Sequence, residues 1–186
     1  MTAHEQLGLA AGGEAPAGPS PTLTITVLGH PIGQGRISHG KHGRGYHSNG
    51  KTLKPWRAKV TAAAEQATGE HAHVKPPKPK GQKEPDRSAK PCIICQRMPG
   101  DHGLYRGPVR LDVVFTFPPL KTPRPWPVTR SSGDWDHLGR AISDALTTVL
   151  WPDDSQIVDG QIRKVYAGAP GSLTEPGALI RIWEIS

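Results

Sequence analysis

The chain has 186 residues, a length that fits one domain with tails, and it carries a net charge of +7 at pH 7. This positive charge indicates a polyanionic partner, with nucleic acid as the first candidate and a merely soluble basic protein as the alternative. No apolar run approaches the length of a membrane span, no signal peptide is recognisable, and two cysteines do not indicate a disulfide-stabilised secreted protein.

The N-terminal residues predict a tail followed by a strand. Residues 1–20 are mostly Gly, Ala, Pro and Ser with little to bury, so we expect a disordered tail ahead of a single domain over residues 21–186. The next segment, TLTITVLG (residues 22–29), alternates apolar residues with threonines. That alternation predicts a strand with one buried face.

A basic stretch follows the first strand. Residues 30–51 are rich in Gly and His and predict a long loop, and no acidic residue lies between Glu14 and Glu65. Such a surface suits contacts with DNA phosphates, although a solvated flexible loop is an equal alternative. The predicted DNA-contacting residues here are Arg36, Lys41, Arg44, Lys51 and Lys54. A helix is expected over residues 54–68, with Pro55 in its first turn.

A flexible, polar, Lys- and Pro-rich insert is predicted over about residues 69–106. It contains Cys92 and Cys95 in a CxxC spacing, which is half of a zinc site. His71, His73 and His102 could complete a structural zinc site, whereas a free, reduced pair of thiols is the alternative.

The C-terminal half predicts strands and a second helix. Strands are expected at residues 107–117, 155–168 and 178–186, and a helix at about 136–150. The fold class is therefore α+β, with a small mixed sheet, two main helices and the inserted loop. The five tryptophans are expected to be mostly core, and packing is the preferred interpretation of Trp135, with base stacking as its alternative.

The second helix is flanked by aspartates. At 100° per residue its core face holds Leu138, Ile142, Ala145 and Val149, so the acids lie elsewhere. N-capping and turn formation are ordinary roles for such acids. A cluster of carboxylates is instead typical of a Mg²⁺ or Mn²⁺ site, where the ion can activate water and stabilise charge on a phosphodiester.

Asp134 is expected in the extended turn before the helix, pointing to the same side as Asp136. Asp153 and Asp154 follow the helix in the sequence WPDDSQ. A cation between these carboxylates would relieve their repulsion, and it would explain why a basic protein gathers acids in one short segment.

The stretch GDWDHLGRAISDAL…WPDDSQIV…K resembles the signature of RusA-like Holliday junction resolvases, many of which come from phages and prophages. The family pattern is close to D-x-D-N-L-x-K-x-x-x-D-A-L followed by D-D-x-Q-[IV] and a basic residue. It maps here onto Asp134, Asp136, His137, Leu138, Arg140, Asp144, Ala145, Leu146, Asp153, Asp154, Gln156, Ile157 and Lys164. His137 stands where the family has asparagine, and Arg140 where it has a catalytic lysine. The early GHPIGQGR segment resembles the family more weakly.

The resemblance implies a Mg²⁺-dependent endonuclease, with Mn²⁺ able to substitute, that cuts four-way DNA junctions by paired nicks as a homodimer. Its implied metal ligands are Asp134, Asp136 and Asp154, with Asp153 as a further candidate. Arg140 joins the first three as a catalytic residue, and Lys164 is a candidate phosphate contact. The expected location is the cytoplasm of a bacterial or phage-infected cell, without a membrane partner. The alternatives are a non-catalytic basic DNA-binding protein and a nuclease for flaps or other branched DNA.

Overall fold

The computed structural model describes residues 19–39, 45–77, 89–122 and 124–186. The strands of this part are β1 (Leu23–Leu28), β2 (Ile37–His39), β3 (Gly45–His47), β4 (Val109–Phe117), β5 (Ile157–Tyr166) and β6 (Gly177–Glu184), and the helices are α1 (Gly50–Thr68) and α2 (Trp135–Leu146). Most of the predicted tail, and the predicted DNA contacts Lys41 and Arg44, lie outside the described residues.

Four strands form one mixed sheet in the order β1-β6-β4-β5. β6 pairs antiparallel with both β1 and β4, whereas β5 runs parallel to β4. A parallel pair needs a crossover, and here α2 lies in the connection from β4 to β5. The α+β prediction, with a mixed sheet and two helices, is confirmed.

The helices pack through the apolar faces that the sequence indicates. In α1 the buried side chains are Leu53, Trp56, Val60 and Ala64, and the helix ends at Gly69 with φ 72°. In α2 the predicted core residues Leu138, Ile142 and Ala145 are buried, as is Val149 just beyond the helix. The two helices contact one another, so α2 is held between α1 and strand β5.

Three local predictions were wrong. Helix α1 begins at Gly50 rather than at residue 54, so Pro55 lies in its second turn. The second helix ends at Leu146 rather than near residue 150, because Thr148 has φ 68° and its amide donates to the carbonyl of Trp151 at 2.6 Å. The buried apolar residues of this turn extended the helical pattern in the sequence. The predicted loop at 30–51 contains strands β2 and β3, which pair antiparallel over three residues each. Among the described residues, no helix is both long and apolar enough to cross a membrane.

Candidate active site at the start of helix α2

Two of the predicted metal ligands lie at the N-terminus of α2. Asp134 is the extended residue before the helix, and Asp136 lies in its first turn. Neither is used as a side-chain cap, so both carboxylates remain available on the side where the helix dipole favours negative charge. His137 lies between them, with Nδ1 3.6 Å from Asp134 Oδ2 and Nε2 3.8 Å from Asp136 Oδ2.

A cleft of 490 Å³ lies between α2 and the start of β5, and we call it the Asp154 cleft. It is lined by Asp136, Arg140 and Ser143 from α2 and by Asp154 from the turn before β5. Ser143 is almost buried, and its hydroxyl lies 3.4 Å from Asp154 Oδ2. Arg140 lies 3.8 Å from Asp136 Oδ2. A third carboxylate, that of Asp159, also lines the cleft, but it lies 3.6 Å from Arg110, so Asp136 and Asp154 are the two acids that face Arg140.

Asp134 lines a second, more polar cleft of 610 Å³ on the other side of the helix start, the Asp134 cleft. Arg36, Arg130 and His137 line it with Asp134. The structure therefore brings Asp136 and Asp154 into one cleft and places Asp134 in its neighbour. From the sequence, Asp134 and Asp136 were expected to point to one side, whereas their side chains line different clefts.

The donor set of the Asp154 cleft suits a hard divalent cation. Mg²⁺ is commonly bound by one or two carboxylates together with water and substrate phosphate, which Asp136 and Asp154 could provide. In the part of the chain that the structure describes, the three predicted acids do not form a compact group of ligand atoms. Asp134 is 79% exposed, so its side chain can change rotamer without disturbing the core.

Asp144 and Asp153 have structural partners instead. Asp144 forms an ion pair with Arg57 and accepts a hydrogen bond from Gln34, so it joins α2 to α1 and to the loop after β1. Asp153 accepts a hydrogen bond from the amide of Ser155 at 3.0 Å. Hydrogen bonds from the Ser155 hydroxyl and amide lower the pKa of Asp153, against a weaker opposing effect of burial.

The predicted basic residues divide between contact surfaces and internal support. Arg36 is exposed in the Asp134 cleft, and Lys51 and Lys54 line a neighbouring groove of 880 Å³ between β3 and α1. Lys164 is half-buried and donates to the carbonyl of Gly133 at 2.8 Å, with its amine also 3.3 Å from the Ser132 hydroxyl. Its position therefore supports the loop that carries Asp134.

The tryptophans are less uniformly buried than expected. Trp56 and Trp151 are core residues, but Trp126 and Trp135 are both more than half exposed. Trp135 lines the Asp154 cleft, and its indole Nε1 donates to the carbonyl of Ile162 at 2.9 Å. Packing in the core, the preferred interpretation from the sequence, was wrong for this residue.

A family model described as Endodeoxyribonuclease RusA matches residues 86–173, which include every acid and the arginine of the Asp154 cleft. Over these 88 of its 186 residues, the chain is similar to the endodeoxyribonuclease RusA family. Nucleases of this family usually depend on a divalent metal, and their substrates are branched DNA. No curated protein matches the chain.

These contacts show where two residues of the RusA-like signature, His137 and Arg140, lie relative to the carboxylates. His137, at the position of the family's asparagine, approaches the carboxylates on either side of it. Arg140, at the position of the family's lysine, projects into the Asp154 cleft and is 59% exposed. A guanidinium offers a fixed positive charge with several donors, but it does not release a proton near neutral pH.

Two residues of the site were not assigned a role from the sequence. Ser143 was missed because a serine inside a helix carries no signal of its own, and only the fold brings it to Asp154. Arg130 lies in the loop four positions before Asp134, and the structure places it in the Asp134 cleft. Its charge near the first acid of the signature was the available signal.

Proposed function

We propose that this RusA-like protein resolves four-way DNA junctions by paired nicks, acting as a homodimer with Mg²⁺ and with Mn²⁺ as a substitute. The observation that carries the proposal is the Asp154 cleft, where Asp136, Arg140 and Asp154 line one surface within the stretch matched by the family model. A purely DNA-binding protein has no need of a cleft that concentrates carboxylates where a phosphate would approach.

In the proposed reaction, Asp136 and Asp154 would hold the metal ion, with Asp134 as the third candidate ligand. The bound ion would supply an activated water molecule and charge stabilisation at the phosphodiester. Arg140 faces the same cleft and is placed to pair with a non-bridging phosphate oxygen. Ser143 is a positioning residue, because its hydroxyl restrains the Asp154 carboxylate rather than reaching the DNA.

The DNA backbone would reach the cleft along basic side chains. Arg36 and Arg130 line the Asp134 cleft, and Lys51 and Lys54 continue onto the neighbouring groove. These contacts are independent of base sequence and neutralise phosphates, so binding through them should weaken steeply with salt. Trp135 projects an exposed ring at the edge of the Asp154 cleft, where an unpaired base could stack.

A homodimer accounts for paired nicks, because two active sites related by a two-fold axis would meet two strands of a junction symmetrically. This part of the proposal rests on the family likeness. Analytical ultracentrifugation with and without junction DNA would measure it, and a monomer that makes uncoupled single nicks would contradict it.

The function is tested by incubating the protein with Mg²⁺ and synthetic four-way junctions, flaps and linear duplexes of matched sequence. We expect paired, symmetric nicks in the junction and little cutting of the duplex. Asp154→Asn should abolish cleavage while junction binding is retained, because only a metal ligand is lost. Glu175→Gln is the matched control, since Glu175 is exposed and lies outside the residues that line both clefts.

Three results would contradict the proposal. Cleavage of flaps in preference to junctions would assign the chain to the other class of branched-DNA nuclease. Full activity of Asp154→Asn would remove the assigned metal ligand. Tight junction binding without cleavage in either Mg²⁺ or Mn²⁺ would leave a DNA-binding role alone.

A further inference from the structure

A second group of metal-ligating side chains lies away from both clefts. His71, Cys92, Cys95 and His102 each offer one ligand atom, and the four atoms all lie within 4.8 Å of one another. Among the residues that the structure describes, this is the only group of three or more His, Cys, Asp or Glu side chains arranged in this way. Cys92 and His102 are fully buried, and a buried imidazole such as that of His102 requires polar partners.

The distances match tetrahedral zinc. Zn–S bonds of about 2.3 Å and Zn–N bonds of about 2.0–2.1 Å at a tetrahedral angle give a sulfur–nitrogen edge of about 3.5 Å. Cys92 Sγ lies 3.6 Å from His71 Nε2, and Cys95 Sγ lies 3.4 Å from His102 Nε2. The two Cys–His pairs therefore already have the spacing that a shared Zn²⁺ requires.

The imidazole of His102 is oriented as a ligand. Its Nδ1 lies 3.3 Å from the carbonyl of His71, so a proton on Nδ1 leaves the Nε2 lone pair directed toward the cluster. His73 is the near neighbour that the sequence also offered as a ligand, and its Nε2 instead lies 2.9 Å from the carbonyl of Lys90. The structure thus separates the two ligand histidines from the third.

The surroundings of the thiols favour thiolates. The amide of Val74 donates to Cys92 Sγ at 3.4 Å, and Arg97 Nε donates to Cys95 Sγ at 3.4 Å. Arg97 also pairs with Glu70 at 2.8 Å, which fixes its guanidinium beside the cluster.

We infer that His71, Cys92, Cys95 and His102 bind one structural Zn²⁺. All four positions are filled by protein side chains, as in structural rather than catalytic zinc sites. The ligands come from the residues after α1 and from the segment before β4, so the ion would hold together the two described ends of the Lys- and Pro-rich insert. The same two ends are also joined by a backbone hydrogen bond, in which the amide of Ile93 donates to the carbonyl of Val74 at 3.0 Å.

This zinc knuckle, residues 71–74 and 92–103, packs against the turn that leads to Asp154. The amide of His73 donates to the Thr148 hydroxyl at 3.1 Å. The backbone of Gly103 lies directly against Trp151 and Pro152. The zinc would therefore support the position of Asp154 from behind the cleft, a consequence that rests on the proposed function, whereas zinc binding itself does not.

The test uses the full chain, purified under reducing conditions and loaded with ZnCl₂. Native mass spectrometry should show one zinc per chain. Replacement by Co²⁺ should give the absorption bands of tetrahedral cobalt together with a thiolate charge-transfer band. Cys95→Ser and His71→Gln should lose the bound metal, whereas His73→Gln, the matched control, should retain it.

The possible results separate this inference from the proposed function. Zinc bound as expected in a protein that does not cut junctions would support the site and contradict only the nuclease proposal. The zinc site is overturned if the folded, reduced protein takes up no zinc. It is equally overturned if Co²⁺ shows no thiolate charge transfer, if the control variant loses the metal as the two ligand variants do, or if Cys92 and Cys95 form a disulfide in preference to binding metal.

Discussion

Gly103 offers a sharp test of how the zinc knuckle and the Asp154 turn are joined. Its φ is 111°, and a Cβ added there would lie 2.7 Å from Trp151 Cα, 2.8 Å from Trp151 C and 2.9 Å from Pro152 Cδ. The positive φ costs about 1–3 kcal/mol for a residue with a side chain. Overpacking against a buried neighbour adds about 1–3 kcal/mol. We therefore expect Gly103→Ala to lower the free energy of unfolding by about 3 kcal/mol after relaxation.

The matched control is Gly107→Ala, because a Cβ at Gly107 would meet nothing within 4 Å. Thermal unfolding should show a fall in Tm of about 6–12 °C for Gly103→Ala and little change for the control, at about 2–4 °C per kcal/mol for a chain of this size. Gly103→Ala should also raise the Mg²⁺ concentration needed for half-maximal cleavage, since the displaced backbone leads to Asp154. Equal Tm values for the two variants would refute the packing described for this segment.

The remaining predictions concern the clefts. Ser143→Ala should raise the Mg²⁺ concentration for half-maximal cleavage roughly fivefold, because losing a long hydrogen bond to a carboxylate costs on the order of 1 kcal/mol. Junction affinity in a gel-shift assay should not change. An unchanged Mg²⁺ dependence would contradict the role of Ser143 beside Asp154. Lys164→Met should lower kcat more than it raises KM, because the Lys164 amine supports the loop before α2. Arg163 is an exposed neighbour, and Arg163→Met should mainly weaken DNA binding. The reverse pattern would make Lys164 a phosphate contact. Arg140→Lys should keep most of the cleavage rate while Arg140→Met loses it, and equal rates for all three proteins would remove Arg140 from the reaction.

The fold class could be predicted from the sequence because the patterns that indicate helices and strands are local. The apolar stripe of α2 and the alternation in β1 identify elements whose buried faces follow directly from their periods. The end of α2 did not follow, because the turn at Thr148 is followed by Val149, Leu150 and Trp151, whose burial extends the apolar pattern. Strands β2 and β3 were missed because three residues each are too few to establish an alternation.

The candidate site was predictable in its residues but not in its arrangement. The spacing of the signature names Asp134 and Asp136 together, yet the helix begins between them and turns their side chains toward two clefts. The role of Lys164 depends on where β5 passes beneath the loop at Gly133, which is a long-range contact. The choice of His71 over His73 as a zinc ligand likewise depends on how the chain closes around the thiols.

The central claim is that Asp136 and Asp154 coordinate a divalent ion at the position where the junction backbone is cut. A crystal structure of the protein with junction DNA and Mn²⁺, with the metal located by anomalous scattering, measures this directly. The expected result is a peak in the Asp154 cleft within about 2.2 Å of an oxygen from each of these carboxylates. A cleft without manganese, at a concentration that supports cleavage in solution, would contradict the account.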